Sequence, residues 1–312
     1  MKRGTMIAST AAATAAIATR NTVLAQTPVK LRAGAATNDS YAEPYFGVAQ
    51  GFFAKQGIDL DIQVFFNAQA TVQAVVANQI DIGLADMIQV VNPIERGIPL
   101  AYFAGGGLYR TQRPATLLCV AKNSDVHSAK DLEDKTVAVV SLTSISSVGV
   151  QDWIVQSGAD LSKVKLIEMA FAVMVPALVR GTVAAAFVAE PFVSESKNDI
   201  RVLASTYDAI AKQFYVGAWF AYRSWLNTQR ELARRFVAAA YQTARWSNTH
   251  HNESAVILSK ISKIELENAR NMARTDFATS LDPKLMQPVI DIAVKHNLIA
   301  QPVDANDIIF RV

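Results

Sequence analysis

The hydrophobic pattern of this chain switches repeatedly between a helical and a strand period, and one switch occurs twice with nearly the same residues. Val72-Gln73-Ala74-Val75-Val76-Ala77-Asn78 is an apolar helical turn that meets a C-cap residue, runs into an apolar strand over 80–85 and ends at Asp86-Met87. Val175-Pro176-Ala177-Leu178-Val179-Arg180-Gly181 does the same, leading through a strand to Ala189 and ending at Glu190-Pro191-Phe192. Aligned, Val72, Ala74, Val75 and Val76 fall on Val175, Ala177, Leu178 and Val179. A helix–strand unit used twice predicts two α/β lobes of similar build, with the two strand ends facing each other across a cleft.

The rest of the pattern fits two such lobes. Before the first unit come a strand over 29–36 and the polar loop Thr37-Asn38-Asp39-Ser40. A helix follows to about Lys55, with Ser40 and Glu43 at capping-box spacing; Gly57 stops it, and a strand over 58–66 leads to Asn67 as the next cap. A helix from Met87 and a strand over 99–105 come after the unit. This β-α-β-α order implies a mainly parallel sheet in each lobe, flanked by helices, with right-handed crossovers. The polar, Pro-marked stretch Arg110-Thr111-Gln112-Arg113-Pro114 is the expected first hinge. A second series follows: strands over 115–121 and 136–141, a helix over 147–156, a strand over 164–169, the second unit, and a strand over 201–204. An apolar stretch over 215–222 carries the chain back towards the first lobe. From Thr228 the pattern is helical, with Thr228/Glu231 and Ser262/Glu265 at capping-box spacing and Asp282-Pro283 as a further start signal. A helical tail cannot build a third sheet and is expected to pack on the first lobe. The predicted organisation is a leader over 1–25, lobe 1 over 26–112, lobe 2 over 113–215, and a return to lobe 1 with C-terminal helices over 216–312.

Composition changes this picture mainly at the N-terminus. Lys2-Arg3, an apolar Ala-rich run from Met6 to Thr19 and the small-residue site Val23-Leu24-Ala25 have the layout of a cleavable export signal, with Sec and Tat export both open. The run is shorter than the roughly 20 residues a membrane span needs. Cleavage after Ala25 removes Lys2, Arg3 and Arg20 and no acid, so the net charge of +3 falls to zero and offers no footprint for nucleic acid. The remainder is long enough for two domains. Cys119 is the only cysteine, which excludes an internal disulfide, and its apolar strand marks it as a buried thiol.

Ligands of open α/β sheets bind beyond the carboxyl ends of the strands. The loops there give the candidate contacts: Asn38, Asp39 and Ser40; Asn67 and Thr71; Asp86 and Met87; Thr143, Ser144 and Ser146; Phe171; and Glu190. Four hydroxyls, those of Thr143, Ser144, Ser146 and Ser147, precede or open one helix and suit an anion at its N-terminus, although capping by Ser146 or Ser147 uses the same residues. Asp39, Asp86 and Glu190 can accept from a ligand amine or N–H, and each can equally be a turn or cap residue. Gly105-Gly106-Gly107 lacks the spacing of a dinucleotide or phosphate-loop motif. His250-His251-Asn252-Glu253 lacks a metal-ligand spacing and reads as a solvated turn. No cofactor, metal or catalytic residue is assigned.

The segments Gly47-Val48-Ala49-Gln50-Gly51-Phe52-Phe53-Ala54-Lys55-Gln56-Gly57-Ile58-Asp59-Leu60, Asp131-Leu132-Glu133-Asp134-Lys135-Thr136-Val137-Ala138-Val139 and Ala189-Glu190-Pro191-Phe192 resemble the nitrate/sulfonate/taurine-type substrate-binding proteins of ABC importers. The resemblance implies a two-lobed, type II-like periplasmic binding fold that closes over its solute and docks on an inner-membrane permease. It also implies solute contacts in the serine-rich loop and at Glu190-Pro191. Asn78 and Ala184 depart from the Gly and Asp usual in relatives. The Trp-Asn-His-Gly pattern of the thiamine-pyrimidine-precursor branch is missing near 37–47, and one cysteine cannot supply that branch's Cys-rich motif. The expected function is periplasmic capture of a small sulfonate- or carboxylate-like acid by a monomeric, non-enzymatic protein. The alternatives are an enzyme or binding protein of pyrimidine and thiamine-precursor metabolism on the same fold, and a periplasmic sensor subunit.

Overall fold

The computed structural model describes Met1 and residues 27–312; the expected export signal lies outside the described residues. Two five-stranded sheets carry the fold. The first has β1 (Val29–Ala35), β2 (Ile58–Val64), β3 (Ile82–Ala85), β4 (Leu100–Gly105) and β12 (Ala218–Tyr222) in the order β2-β1-β3-β12-β4. Strands β2, β1 and β3 are parallel, and β12 is inserted antiparallel to both neighbours. The second has β6 (Thr116–Ala121), β7 (Thr136–Val139), β8 (Lys165–Glu168), β9 (Ala185–Ala189) and β10 (Ile200–Ala204) in the order β10-β6-β9-β7-β8. Here β9, β7 and β8 are parallel, while β6 runs antiparallel to β9 and β10.

The repeated units are α3 (Ala68–Val76) with β3, and α6 (Phe171–Val179) with β9. Both strands are fully buried in the middle of their sheets, which explains their unbroken apolar runs. Asn78 and Gly181 both turn the chain in the left-handed region, at φ 55° and 71°, as the C-cap reading requires. The expected helix to Lys55 is broken. Gly51, at φ 68°, separates α1 (Glu43–Ala49) from α2 (Phe52–Lys55), and their buried Phe46 and Phe53 pack into different apolar clusters.

The chain leaves the first sheet at Gly105 and returns to it at Ala218. On the way out it forms β5 (Gly107–Arg110) and on the way back β11 (Gln213–Tyr215). These two pair antiparallel, and β13 (Asp276–Phe277) pairs with the other edge of β5. A small three-stranded sheet at the crossings was not foreseen, because strands of two to four residues carry too little pattern. The stretch over 215–222 is accordingly two strands of different sheets rather than one.

The remaining helices are α4 (Met87–Glu95), α5 (Ile145–Gln156), α7 (Phe192–Glu195), α8 (Arg223–Thr228), α9 (Arg230–Ser247), α10 (His251–Ser262), α11 (Leu266–Asn271) and α12 (Gln287–Lys295). The long α9 covers α1, α2 and β4 of the first layer. Its Phe236 sits against Trp219 and Phe53, with ring centroids 4.8 and 5.3 Å away. Two expected start signals have other uses. Thr228 Oγ1 donates to the carbonyls of Ser224 and Trp225 and so closes α8, and Ser262 Oγ donates to the carbonyl of Thr37. Asp282 does cap, accepting from Lys284 N at 2.9 Å. The tail is not confined to the first layer: α12 packs on both α4 and α5.

Candidate functional site

The carboxyl ends of the two sheets face each other, and the loops and helix N-termini that follow the strands close on a space of about 40 Å³. That is room for roughly three water-sized atoms. Asn38, Ser40, Asn67, Asp86, Ser144, Ser146 and Phe171, all expected at the site, line it together. The pattern located this wall because each lies just beyond a strand end or in the first turn of a helix.

Asp86 is its one carboxylate. It is 2 % exposed and caps α4, with Oδ1 accepting from Ile88 N at 3.0 Å and Gln89 N at 3.2 Å. The carboxylate also faces the backbone N–H of Ile145, the first residue of α5. The N-termini of one helix from each lobe thus converge on one acid. Burial pushes its carboxyl up to about 7, against the lowering effect of the three N–H groups.

Across from it, Ser144 is the N-cap of α5, so the helix begins two residues earlier than the sequence indicated. The Ser144 hydroxyl donates to the carbonyl of Ser141 at 2.9 Å rather than capping its own helix, and lies 2.7 Å from Ser146 Oγ. Ser147 Oγ accepts from Gln151 Nε2 at 2.7 Å. Two amide oxygens at the cavity, Asn38 Oδ1 and Gln89 Oε1, are buried without a partner.

Five expected contacts are placed elsewhere. Asp39 is spent inside the protein, accepting from Arg274 Nε at 2.9 Å and Thr275 N at 2.6 Å. Its pairing with Arg274, far along the chain, could not be read locally. Thr71 is buried within α3, its hydroxyl donating to the carbonyl of Asn67, and Met87 is fully buried in α4. Thr143 stands at the rim and donates to Gln69 Oε1 at 2.7 Å. Glu190 accepts from Ser194 N at 3.0 Å and Ser194 Oγ at 2.8 Å; burial raises its carboxyl, and these bonds oppose the rise. A charge directly after an apolar strand is costly unless hydrated or hydrogen-bonded, and Glu190 finds those bonds in its own helix α7.

Apart from Phe171, the aromatic walls were not among the expected contacts. Tyr41, Phe187 and Tyr207 line the cavity beside Phe171 and Phe66, with Gln89 and Thr116 as further polar contacts. An aromatic residue in a strand or turn carries the same sequence signal whether it fills a core or faces a cleft. Among the described residues, no group of three or more His, Cys, Asp or Glu could hold a metal ion, and no helix is long and apolar enough to cross a membrane.

The structure is similar to that of the periplasmic aliphatic sulphonate binding protein SsuA from Escherichia coli, 18% identical, with a TM-score of 0.74 over 90% of this chain and 97% of that one. It is similar also to the periplasmic nitrate-binding protein NrtA from Synechocystis PCC 6803, at 16% identity, a TM-score of 0.74, 89% of this chain and 84% of that one. The desulfurization enzyme DSZB shares the architecture at 13% identity and a TM-score of 0.68, over 90% of this chain and 96% of that one. Identities this low establish the fold alone, that of the two-lobed periplasmic binding proteins. Among curated proteins no sequence match was found. The model of the NMT1/THI5-like proteins matches residues 38–254, more than half of the chain, which therefore belongs to that family.

Proposed function

We propose that this protein is the exported solute-binding component of an ABC importer and captures a small organic acid, a sulfonate or carboxylate, for an inner-membrane permease. Its lobes would comprise residues 26–112 with 216–312, and residues 113–215. The observation that carries the reading is the cavity at the facing carboxyl ends of the two sheets, with walls from both. A solute held there touches both lobes only when they are closed, so binding stabilises the closed form that a permease can read. The acid group would sit at the head of α5, near the Ser144 and Ser146 hydroxyls, where helix-terminal N–H groups favour negative charge. Tyr41, Phe171, Phe187 and Tyr207 would hold the apolar body.

Neighbours in fold whose names state sulphonate and nitrate binding support this class of solute. The fold is shared with an enzyme as well. The two readings part at the cavity, where among the described residues the lining has Ser, Thr, Asn, Gln, Tyr and Asp side chains but no His or Cys, and where Asp86 is engaged as a cap.

Native mass spectrometry of protein freshly isolated from the periplasm, followed by calorimetric titration with small sulfonates and carboxylates, tests the proposal. Changing Ser144 and Ser146 together to Ala should weaken acid binding at least about tenfold, the loss expected for one hydrogen bond to a charged group. Release of a chemically altered product, or no response to any acid, would overturn it.

A further inference from the structure

We propose that Asp86 sets the specificity of this cleft by competing with the solute: an acidic solute and the ionised Asp86 carboxylate seek the same helix-terminal N–H groups, so the protein takes up one proton with each acid it encloses. This rests on the organic-acid reading above.

The geometry leaves little alternative. Oδ1 is fixed by Ile88 N and Gln89 N, and the carboxylate reaches across to Ile145 N–H, so one negative charge already serves the N-termini of α4 and α5. Among the described residues, no Lys, Arg or His lines the cavity. The charge of Arg274, behind the Asn38 loop, is committed to Asp39. A second anion placed against α5 would meet Asp86 with no cation between them, and like charges in a water-poor cavity cannot both persist. The proton comes from solvent onto a carboxylate oxygen when the acid enters and returns to solvent when it leaves, with no other bond made or broken. Protonated Asp86 becomes a donor. Acceptors line the same wall, in Gln89 Oε1 (a residue only 5 % exposed) and Asn38 Oδ1, both without partners. A solute oxygen is a third.

The other titratable side chains around Asp86 do not interfere. They are Tyr41 in the turn after β1, Tyr102 in β4, whose hydroxyl donates to the Asp86 carbonyl at 2.6 Å, and Tyr207 in the turn after β10. Burial, and in lesser part the charge of Asp86 itself, keeps all three protonated well above neutrality. The carboxyl of Asp86, at about 7, is the group poised to titrate in the working range.

The test is calorimetric titration of the mature protein with acetate and methanesulfonate, and with their neutral counterparts acetamide and methanesulfonamide. Runs at pH 6, 7 and 8 in two buffers of different ionisation enthalpy give the protons taken up. Each acid should bring in about one proton at pH 8 and lose affinity about fivefold between pH 7 and 8, while the amides bring in none. Asp86→Asn keeps a capping side chain and should abolish both the proton uptake and the pH slope. Acid binding without proton uptake by the unaltered protein would overturn the proposal and leave the organic-acid reading standing, as would an unchanged slope in Asp86→Asn. The buffer comparison on the unaltered protein decides even if that variant fails to fold. If neither acid binds at pH 6, the organic-acid reading falls and this proposal with it.

Discussion

His296 Nε2 lies 2.8 Å from Asp152 Oδ1, joining the end of α12 to the middle of α5. Lys295 Nζ reaches the same oxygen at 2.6 Å, and Gln156 Nε2 donates to the other at 2.5 Å. The Asp152 carboxylate is fully buried by this arrangement. Because α12 also packs on α4, Lys295 and His296 join α5 to the α4–α12 side of the molecule, and the closure proposed above would have to pivot around or strain this tie.

Asp152→Asn should therefore cost about 1–3 kcal/mol at pH 7, since it removes the charge while leaving the buried His296 and the half-exposed Lys295 facing an amide. Burial alone would raise the Asp152 carboxyl, but hydrogen bonds from Lys295, His296 and Gln156 outweigh it and hold the group below its usual range. A depressed folded value means that this contribution is present above the unfolded value of about 3.9 and is lost as pH falls through the folded value. Urea denaturation of both proteins should show a gap at pH 7 that narrows at pH 3. A gap independent of pH would count against an ionic tie.

Glu43 titrates in the opposite sense. It is fully buried at the start of α1, accepts from Trp219 Nε1 at 2.8 Å through Oε2, and leaves Oε1 without a partner. Burial pushes it up to about 8, the Trp219 bond opposing the rise. A raised folded value contributes stability that is full below the unfolded value of about 4.3 and is lost as pH rises through the folded one. Glu43→Gln, which keeps the acceptor for Trp219, should remove this fall, leaving the variant the more stable protein at pH 8.5. Parallel denaturation curves at pH 5 and pH 8.5 check it, and an equal pH dependence in both proteins would refute it.

Gly105-Gly106-Gly107, which has no nucleotide-binding spacing, is required by backbone packing at the crossing between sheets. A Cβ on Gly105 would lie 2.3 Å from the Ser280 carbonyl oxygen, on Gly106 2.7 Å from that of Gly217, and on Gly107 2.4 Å from that of Ser40. Backbone atoms cannot step aside as a side chain can, so Gly105→Ala should destabilise by roughly 1–3 kcal/mol or more. Gly97→Ala makes the control for steric crowding: nothing lies within 4 Å there, and only the strain of φ 83° is added. Thermal unfolding of the two variants should rank them in that order.

The parts of the fold written in the sequence are those in which local pattern and global packing agree. The doubled helix–strand unit, with Asn78 and Gly181 as its stops, placed two buried central strands and the ends from which Asp86 and Glu190 project. The two ends then diverge for a reason no spacing shows. Asp86 caps the helix after it and lines the cavity, while Glu190 turns back onto Ser194. Asp39 looked free until Arg274 was brought beside it. Tyr41, Phe187 and Tyr207 were invisible as a wall because burial in a core and burial against a closed cleft give an aromatic the same neighbours in sequence. Long-range pairing accounts for most of what could not be read.

Thr143 carries the final prediction, because it connects the lobes at the cleft mouth. Its hydroxyl donates to Gln69 Oε1 at 2.7 Å, from the loop before α5 to the first turn of α3, and both residues line the groove beside the cavity. On the proposed closure mechanism this bond forms only when the lobes come together. It should slow solute release and leave capture by the open form untouched. A neutral hydrogen bond is worth about 1 kcal/mol, so Thr143→Val, similar in shape but without the hydroxyl, should weaken binding about fivefold. The loss should lie almost wholly in the dissociation rate. Stopped-flow measurement of release and capture, with an acid that binds the unaltered protein, separates the two. An equal slowing of capture would mean that Thr143 shapes the open site, and an unchanged release rate that the Gln69 contact contributes nothing to closure.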